Sequence, residues 1–154
     1  QLKTYPFHRV LKTNQNNEKI IEKITMFYAT EFIEKPNIGA PLIQFYLNKK
    51  WFHIPEKFTN KKNQLLVNSL VKNILQPIFK IKDERTNKNI RFIPGNKSLE
   101  SILNKLESKD VFFLMNTIDI NTIIDLANND RNTPPKSTFI SPKLPSGLIM
   151  MELV

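Results

Sequence analysis

Three short stretches of this chain hold side chains that could do chemistry. The densest is Pro134-Pro135-Lys136-Ser137-Thr138, inside a run over residues 134–148 that holds four of the ten prolines and one of the three glycines. A lysine beside two hydroxyls offers one point charge and two short donors, a set suited to a phosphate or carboxylate. Lys-Ser-Thr also ends a phosphate-binding P-loop, but the backbone excludes that reading. A P-loop wraps phosphate with consecutive N–H groups, loosened by glycine, ahead of a helix. Here two prolines remove donors and fix φ, no glycine precedes them, and Thr138-Phe139-Ile140-Ser141 favours a strand. What the double proline provides is a stiff lead-in that presents Lys136, Ser137 and Thr138 at a defined angle. The plainer alternative is a turn with Lys136 in solvent.

The second stretch is His8-Arg9, inside LKTYPFHRVL, and the third is Asp83-Glu84-Arg85-Thr86. His8 can be a proton carrier or a hydrogen-bonded strand residue. Arg85 and Thr86 can meet a ligand or cap their own loop through the Asp83 carboxylate. Taken together, the three stretches predict a pocket rim where Lys136, Ser137 and Thr138 face His8-Arg9 and Arg85-Thr86, converging on one anion. Gly147 would let a return strand bend, and Pro142 and Pro145 would stiffen the connection to it. These seven residues, Lys136, Ser137, Thr138, His8, Arg9, Arg85 and Thr86, are the anion- or phosphate-binding candidates. None of them is assigned a catalytic role.

Composition limits the chemistry further. The chain contains no cysteine, so disulfides and thiolate chemistry are excluded. Its two histidines, His8 and His53, match no metal-ligand spacing, so no metal site is expected. No apolar run is long enough to span a membrane and no signal-peptide pattern opens the sequence, which points to a cytoplasmic protein without a membrane partner. The formal net charge of +9 invites a nucleic-acid reading. Only four of the 23 basic residues are arginines, however, namely Arg9, Arg85, Arg91 and Arg131. Base readout and bidentate phosphate clamps lean on arginine, so the lysine-rich surface argues against nucleic acid as the partner.

Periodicity supplies the elements that would position these groups. The chain opens directly into a strand at Gln1, which suggests a domain taken from a longer protein. Asn16-Asn17 can cap a helix over about 18–33, with Ile20, Ile24, Phe27, Tyr28 and Phe32 along its apolar stripe. A β-hairpin is predicted at 42–54, turning at Asn48-Lys49-Lys50, with Ile43, Phe45, Leu47, Phe52 and Ile54 sharing the core face. A second helix is predicted near 62–76, carrying Val67, Leu70, Val71 and Ile74, with Ile78 continuing that side; Pro77 ends it or bends it. A short strand at 90–93, a helix at about 97–108, a fully covered strand at 111–116 and a helix capped by Asp119 follow. That last helix runs to about Asn128 with Ile120, Ile123, Ile124 and Ala127 inward. TFIS and LIMMEL read as two closing strands. The expectation is a single α+β domain over 1–154, a mixed or antiparallel sheet backed by about four helices.

Residues Ile90–Gly95, the elements after them and above all PPKSTFISPKLPSGL resemble the C-terminal region of the prokaryotic family called domain of unknown function 1015. The likeness extends over the whole chain. Pro6, His8 and Arg9 stand where that family has Pro-x-His-Arg. Asp83, Arg85 and Thr86 match its Asp-Pro-Arg-Thr, followed by Lys88 and Ile90. Glu84 replaces the usual proline of that loop, which loosens its rigidity, and Lys49 replaces a glycine common in the hairpin turn, which makes the turn costlier. The resemblance implies that the chain is the C-terminal fragment of a longer polypeptide whose upstream half carries an Asp-Gly-His-His-Arg-like motif. That motif is similar to one in ParB-like proteins, a group with DNA-binding members and with kinases of free serine. Some of those kinases carry a Lys-Thr-Thr stretch loosely similar to Lys136-Ser137-Thr138, and family genes stand beside serine-biosynthesis genes. What this implies is part of an enzyme handling a small phosphorylated metabolite, serine or phosphoserine with a nucleotide as cofactor of the full-length protein. The alternatives are a regulatory or nucleic-acid-interacting ParB-like module, or a structural or dimerisation domain.

Overall fold

The computed structural model describes residues 3–59 and 65–142. Among these residues seven strands, all paired antiparallel, form one sheet. The central strand is β1 (Lys3–Lys12), whose ten residues serve three partners. Arg9–Lys12 pair with β6 (Asp110–Leu114), Phe7–Leu11 with β5 (Ile90–Pro94), and Lys3–Pro6 with β7 (Thr138–Ser141). β6 then leads through β3 (Gln44–Leu47) and β4 (Lys50–His53) to the edge strand β2 (Glu31–Ile33). This is the α+β class expected from the pattern, with the sheet resolved as antiparallel.

Among the described residues five α-helices accompany the sheet: α1 (Asn17–Tyr28), α2 (Glu56–Thr59), α3 (Leu66–Leu70), α4 (Leu99–Leu103) and α5 (Ile120–Asn128). Their faces follow from strand alternation. One side of the sheet, with Leu11, Phe45, Leu47, Phe52, Val111 and Phe113, is covered by α1 through Ile20 and Ile24 and by α3 through Val67 and Leu70. The other, with Val10, Trp51, Phe112 and Leu114, is covered by α4 through Ile102, with Leu99, Leu103 and Leu106 packed around it. β6 is buried along its whole length because both layers need it. The hairpin residues Ile43, Phe45, Leu47, Phe52 and Ile54 share one core as their spacing predicts. Its turn is Asn48-Lys49, both at positive φ (51° and 60°), a conformation that asparagine tolerates and lysine resists. Gly95 is fixed by a close approach. Its N–H donates to the Pro6 carbonyl at 2.8 Å, and a Cβ there would lie 2.7 Å from Pro6 Cγ.

Three expectations about these elements are corrected. The first helix stops at Tyr28, not near residue 33, because Ala29 turns into the left-handed region (φ 46°) and its N–H closes on the Thr25 carbonyl. Phe32 therefore belongs to β2, and Phe27 and Phe32 are exposed and do not form a buried stripe. The second helix is not uniformly α. After Leu70 it widens into a π segment, Val71–Leu75, where the Gln76 N–H reaches back five residues to the Val71 carbonyl. The fourth predicted helix forms on its Asp119 cap, but none of its residues is buried, so Ile120, Ile123, Ile124 and Ala127 do not reach the core. Its apolar pattern supplied a face, and nothing among the described residues covers it. Part of the lysine-rich connection (60–64) and the second closing strand (LIMMEL) lie outside the described residues. No helix among the described residues is long and apolar enough to cross a membrane.

Candidate functional site

The fold brings the Asp83–Thr86 loop onto Arg9 of β1 and pairs Thr138 with Pro6 of the same strand, yet it assigns the side chains of the three stretches different tasks. Arg9 lies on the face of β1 that carries Leu11, and it is 1% exposed. Its Nε and Nη2 donate to the two Glu84 carboxylate oxygens at 3.2 and 2.8 Å, and its Nη1 donates to the Phe7 carbonyl at 2.6 Å. The guanidinium also stands 5.2 Å from the Phe92 ring centroid. Glu84 is itself buried. Two buried charges in a fork geometry satisfy each other, so Arg9 is committed to Glu84 in this arrangement. The residue that interrupts the Asp-Pro-Arg-Thr pattern is thus the anchor of its own loop.

His8 points to the opposite face. Its Nδ1 accepts the Met115 N–H at 3.1 Å and its ring meets Phe112 edge-on. That bond leaves the proton of the neutral ring on Nε2. Burial, with a smaller contribution from the Arg9 charge, lowers its pKa to about 4. His8 is a neutral pin between β1 and the end of β6. Arg85 grips Asp83 from its exposed side chain, Nε at 3.0 and 3.1 Å and Nη2 at 2.7 Å. Those hydrogen bonds hold the Asp83 carboxyl down to about 2. The Thr86 hydroxyl donates to the Asp83 carbonyl at 3.4 Å.

In the last stretch, Pro135-Lys136 forms a turn with Lys136 at φ 54°, in place of an extended lead-in. The buried Ser137 hydroxyl closes it by donating to the Pro134 carbonyl at 2.5 Å. Lys136 is exposed, its Nζ 5.6 Å from the Phe7 ring centroid. The Thr138 hydroxyl is enclosed with no protein partner among the described residues. The segments do meet, but not as seven side chains around one anion. Pro134 and Pro135 form one wall of an open cleft of about 940 Å³ with Asp83, Glu84 and Arg85. Ser137 reaches a small internal gap beside Arg9.

The opposite wall was missed from sequence. Asn68, Val71, Lys72 and Gln76 supply it, and Lys82 completes the rim. Asn68, Lys72 and Gln76 recur at intervals of four, which places them along one side of the helix, and that spacing was the available signal. The π segment is part of this wall, and such wide turns concentrate at functional sites. Electrostatics then gives the cleft a sign. Its two acids are occupied, Glu84 by Arg9 beneath it and Asp83 by Arg85. Lys72 and Lys82 form no ion pair among the described residues. The cleft therefore carries surplus positive charge, with the amides of Asn68 and Gln76 beside it. Among the described residues no three His, Asp or Glu side chains are placed to share a metal ion.

No protein-family model matches the chain, and no curated protein matches it either. Solved structures do. SbnI with a C-terminal truncation, from Staphylococcus aureus, superposes with a TM-score of 0.56 at 10% identity, covering 94% of this chain and 53% of its own. A conserved hypothetical protein from Pyrococcus furiosus gives 0.51 at 17% identity, covering 94% of this chain and 58% of its own. A free serine kinase mutant in complex with AMP superposes more loosely, at 0.48 and 16% identity, over 90% of this chain and 54% of its own. The chain spans little more than half the length of these structures, and it shares its α+β fold with the first two.

Proposed function

We propose that this chain is the ligand-binding part of an enzyme acting on a small phosphorylated metabolite, and that the ligand's anionic group binds in the cleft between α3 and the Lys82–Arg85 loop. The observation that carries the reading is the charge state of that cleft: two acids already paired, and two lysines, Lys72 and Lys82, left to meet an anion. Its volume of about 940 Å³ suits a metabolite or a nucleotide better than a single small ion. Lysine is a point charge that takes phosphate from several angles, while Asn68 and Gln76 offer neutral donors to its remaining oxygens. The resemblance to the domain of unknown function 1015 family narrows the ligand class to serine, phosphoserine or a nucleotide. Reaction chemistry would come from the remainder of a longer polypeptide. The fold likeness to structures nearly twice as long is compatible with that division.

The test is ligand-dependent thermal stabilisation of this chain by phosphoserine, AMP and inorganic phosphate, followed by calorimetry. Stabilisation that is lost in Lys72→Ala/Lys82→Ala, with the melting temperature of the unliganded variant unchanged, supports the reading. No stabilisation at millimolar concentrations of any of the three, or stabilisation that survives the double substitution, refutes it. Salt-sensitive binding to generic duplex DNA in its place would favour the nucleic-acid module.

A further inference from the structure

The wall of the cleft that carries Lys72 and Gln76 owes its shape to a proline just beyond it. Pro77 has no N–H, and a proline ring crowds the carbonyl four residues back, here that of Asn73. An α-turn cannot close across that pair. The helix widens, and the Gln76 N–H passes over Lys72 to reach the Val71 carbonyl at 2.9 Å. The Asn73 carbonyl, left without its helical donor, accepts the Tyr28 hydroxyl from the end of α1 at 2.7 Å. The Asn73 side chain donates in turn to the Phe58 carbonyl of α2 at 3.1 Å, and the Phe58 ring stands edge-on to Tyr28 at 5.8 Å. Burial raises the Tyr28 pKa, so the phenol keeps its proton at neutral pH and stays a donor.

We infer that Tyr28 is a positioning residue for the cleft. Its hydroxyl holds the carbonyl that Pro77 leaves without a helical donor, and so fixes the wide turn that aligns Asn68, Lys72 and Gln76 on one wall. An unbroken α-helix turns about 100° per residue, so Asn68 and Gln76 would stand about 80° apart around its axis. A turn closed over five residues advances less at each step and brings Gln76 back toward the line of Asn68 and Lys72. All three line the cleft. Tyr28 is not among the lining residues and acts on them through the backbone of the π segment. Its effect on a phosphorylated ligand rests on the anion-site reading above; its effect on the wall does not.

Two measurements on this chain test the inference. Nuclear magnetic resonance reads the wide turn as the scalar coupling between the Gln76 amide nitrogen and the Val71 carbonyl carbon across their hydrogen bond, and calorimetry reads phosphoserine binding. Pro77→Ala supplies the missing N–H and should move the coupling to the Lys72 carbonyl. Tyr28→Phe removes one hydroxyl; it should cut the Val71 coupling by about half or more and raise the phosphoserine dissociation constant about three- to tenfold. Ile24→Val loosens the buried face of the same helix and should leave both readings unchanged, which separates positioning from lost stability. In the Pro77→Ala background, adding Tyr28→Phe should change neither. A Tyr28→Phe chain with the parent's coupling overturns the inference, as does a lost coupling with phosphoserine affinity intact. Equal weakening of phosphoserine by Ile24→Val, or a Tyr28→Phe effect undiminished beside Pro77→Ala, overturns it too. If the parent chain binds no phosphoserine, the anion-site reading fails, and the coupling alone decides for or against Tyr28.

Discussion

Replacing Glu84 by glutamine keeps the shape of the side chain and removes its charge, leaving Arg9 buried without a counterion. The structure sets the size of the effect. Arg9 is 1% exposed and its partner is buried, so water cannot move in to solvate the guanidinium. Both forked hydrogen bonds, at 3.2 and 2.8 Å, lose the negative end that makes them strong, and the glutamine NH₂ sets a donor against a donor. Removing one member of a buried pair costs about 3–5 kcal/mol. For a domain of this size each kcal/mol moves Tm by roughly 2–4 °C, so a fall of about 6–20 °C is expected. Replacing both members, Arg9→Met with Glu84→Leu, should return most of that stability because no unpaired charge remains. The hydrogen bond from Arg9 to the Phe7 carbonyl and the guanidinium contact with the Phe92 ring are then missing. Urea unfolding of the parent, Arg9→Met, Glu84→Leu and the double variant closes a double-mutant cycle, and a coupling of several kcal/mol is expected with the m-value unchanged. Glu84→Gln within about 1 kcal/mol of the parent protein would refute the reasoning, since it would mean that Arg9 finds water or another acceptor.

Two further outcomes follow from the same region. Asp83 occupies Arg85 as a ligand carboxylate or phosphate would, so Asp83→Asn should free the guanidinium and tighten phosphoserine binding roughly two- to fivefold by calorimetry; weaker binding would show that Asp83 itself holds the ligand. His8 has a folded-state pKa of about 4 against an ordinary 6.5, so the unfolded chain binds a proton first as pH falls. Its contribution to stability is complete above about pH 6.5 and is lost progressively toward pH 4, amounting to roughly 3 kcal/mol. His8→Gln should remove that acid-side slope from the unfolding free energy, and a slope identical in both proteins would contradict the assignment.

Why some of this was legible in the sequence and some was not can be argued residue by residue. Period-two alternation identified the hairpin and its five core residues because a strand in a two-layer packing has only two faces to distribute. Asn16 and Asp119 were readable as caps because each side-chain oxygen needs only its own backbone N–H groups two and three residues on, a local geometry. The fate of Phe27, Phe32, Ile120 and Ile124 was not readable. Periodicity states that a face is apolar, but whether another element covers that face depends on the whole topology. The error at Glu84 has a different origin. A departure from Asp-Pro-Arg-Thr looked like a loss of loop rigidity, whereas its partner, Arg9, is 75 positions away in sequence.

That long-range pair also explains how the cleft comes to carry surplus positive charge. With Glu84 turned inward to Arg9 and Asp83 turned aside to Arg85, the Lys82–Arg85 loop presents no uncommitted negative charge to the wall opposite. Lys72 reaches that wall from the π segment and Lys82 from the loop, so both lysines act on the same volume. A proline at position 84 would rigidify the loop but leave Arg9 to find another acceptor. Glutamate fixes the loop from within and neutralises the core arginine in one step, while the cationic balance of the cleft rests on Lys72 and Lys82. The site's sign is therefore decided beneath its surface, by a contact that neither the loop's own sequence nor β1's could reveal alone.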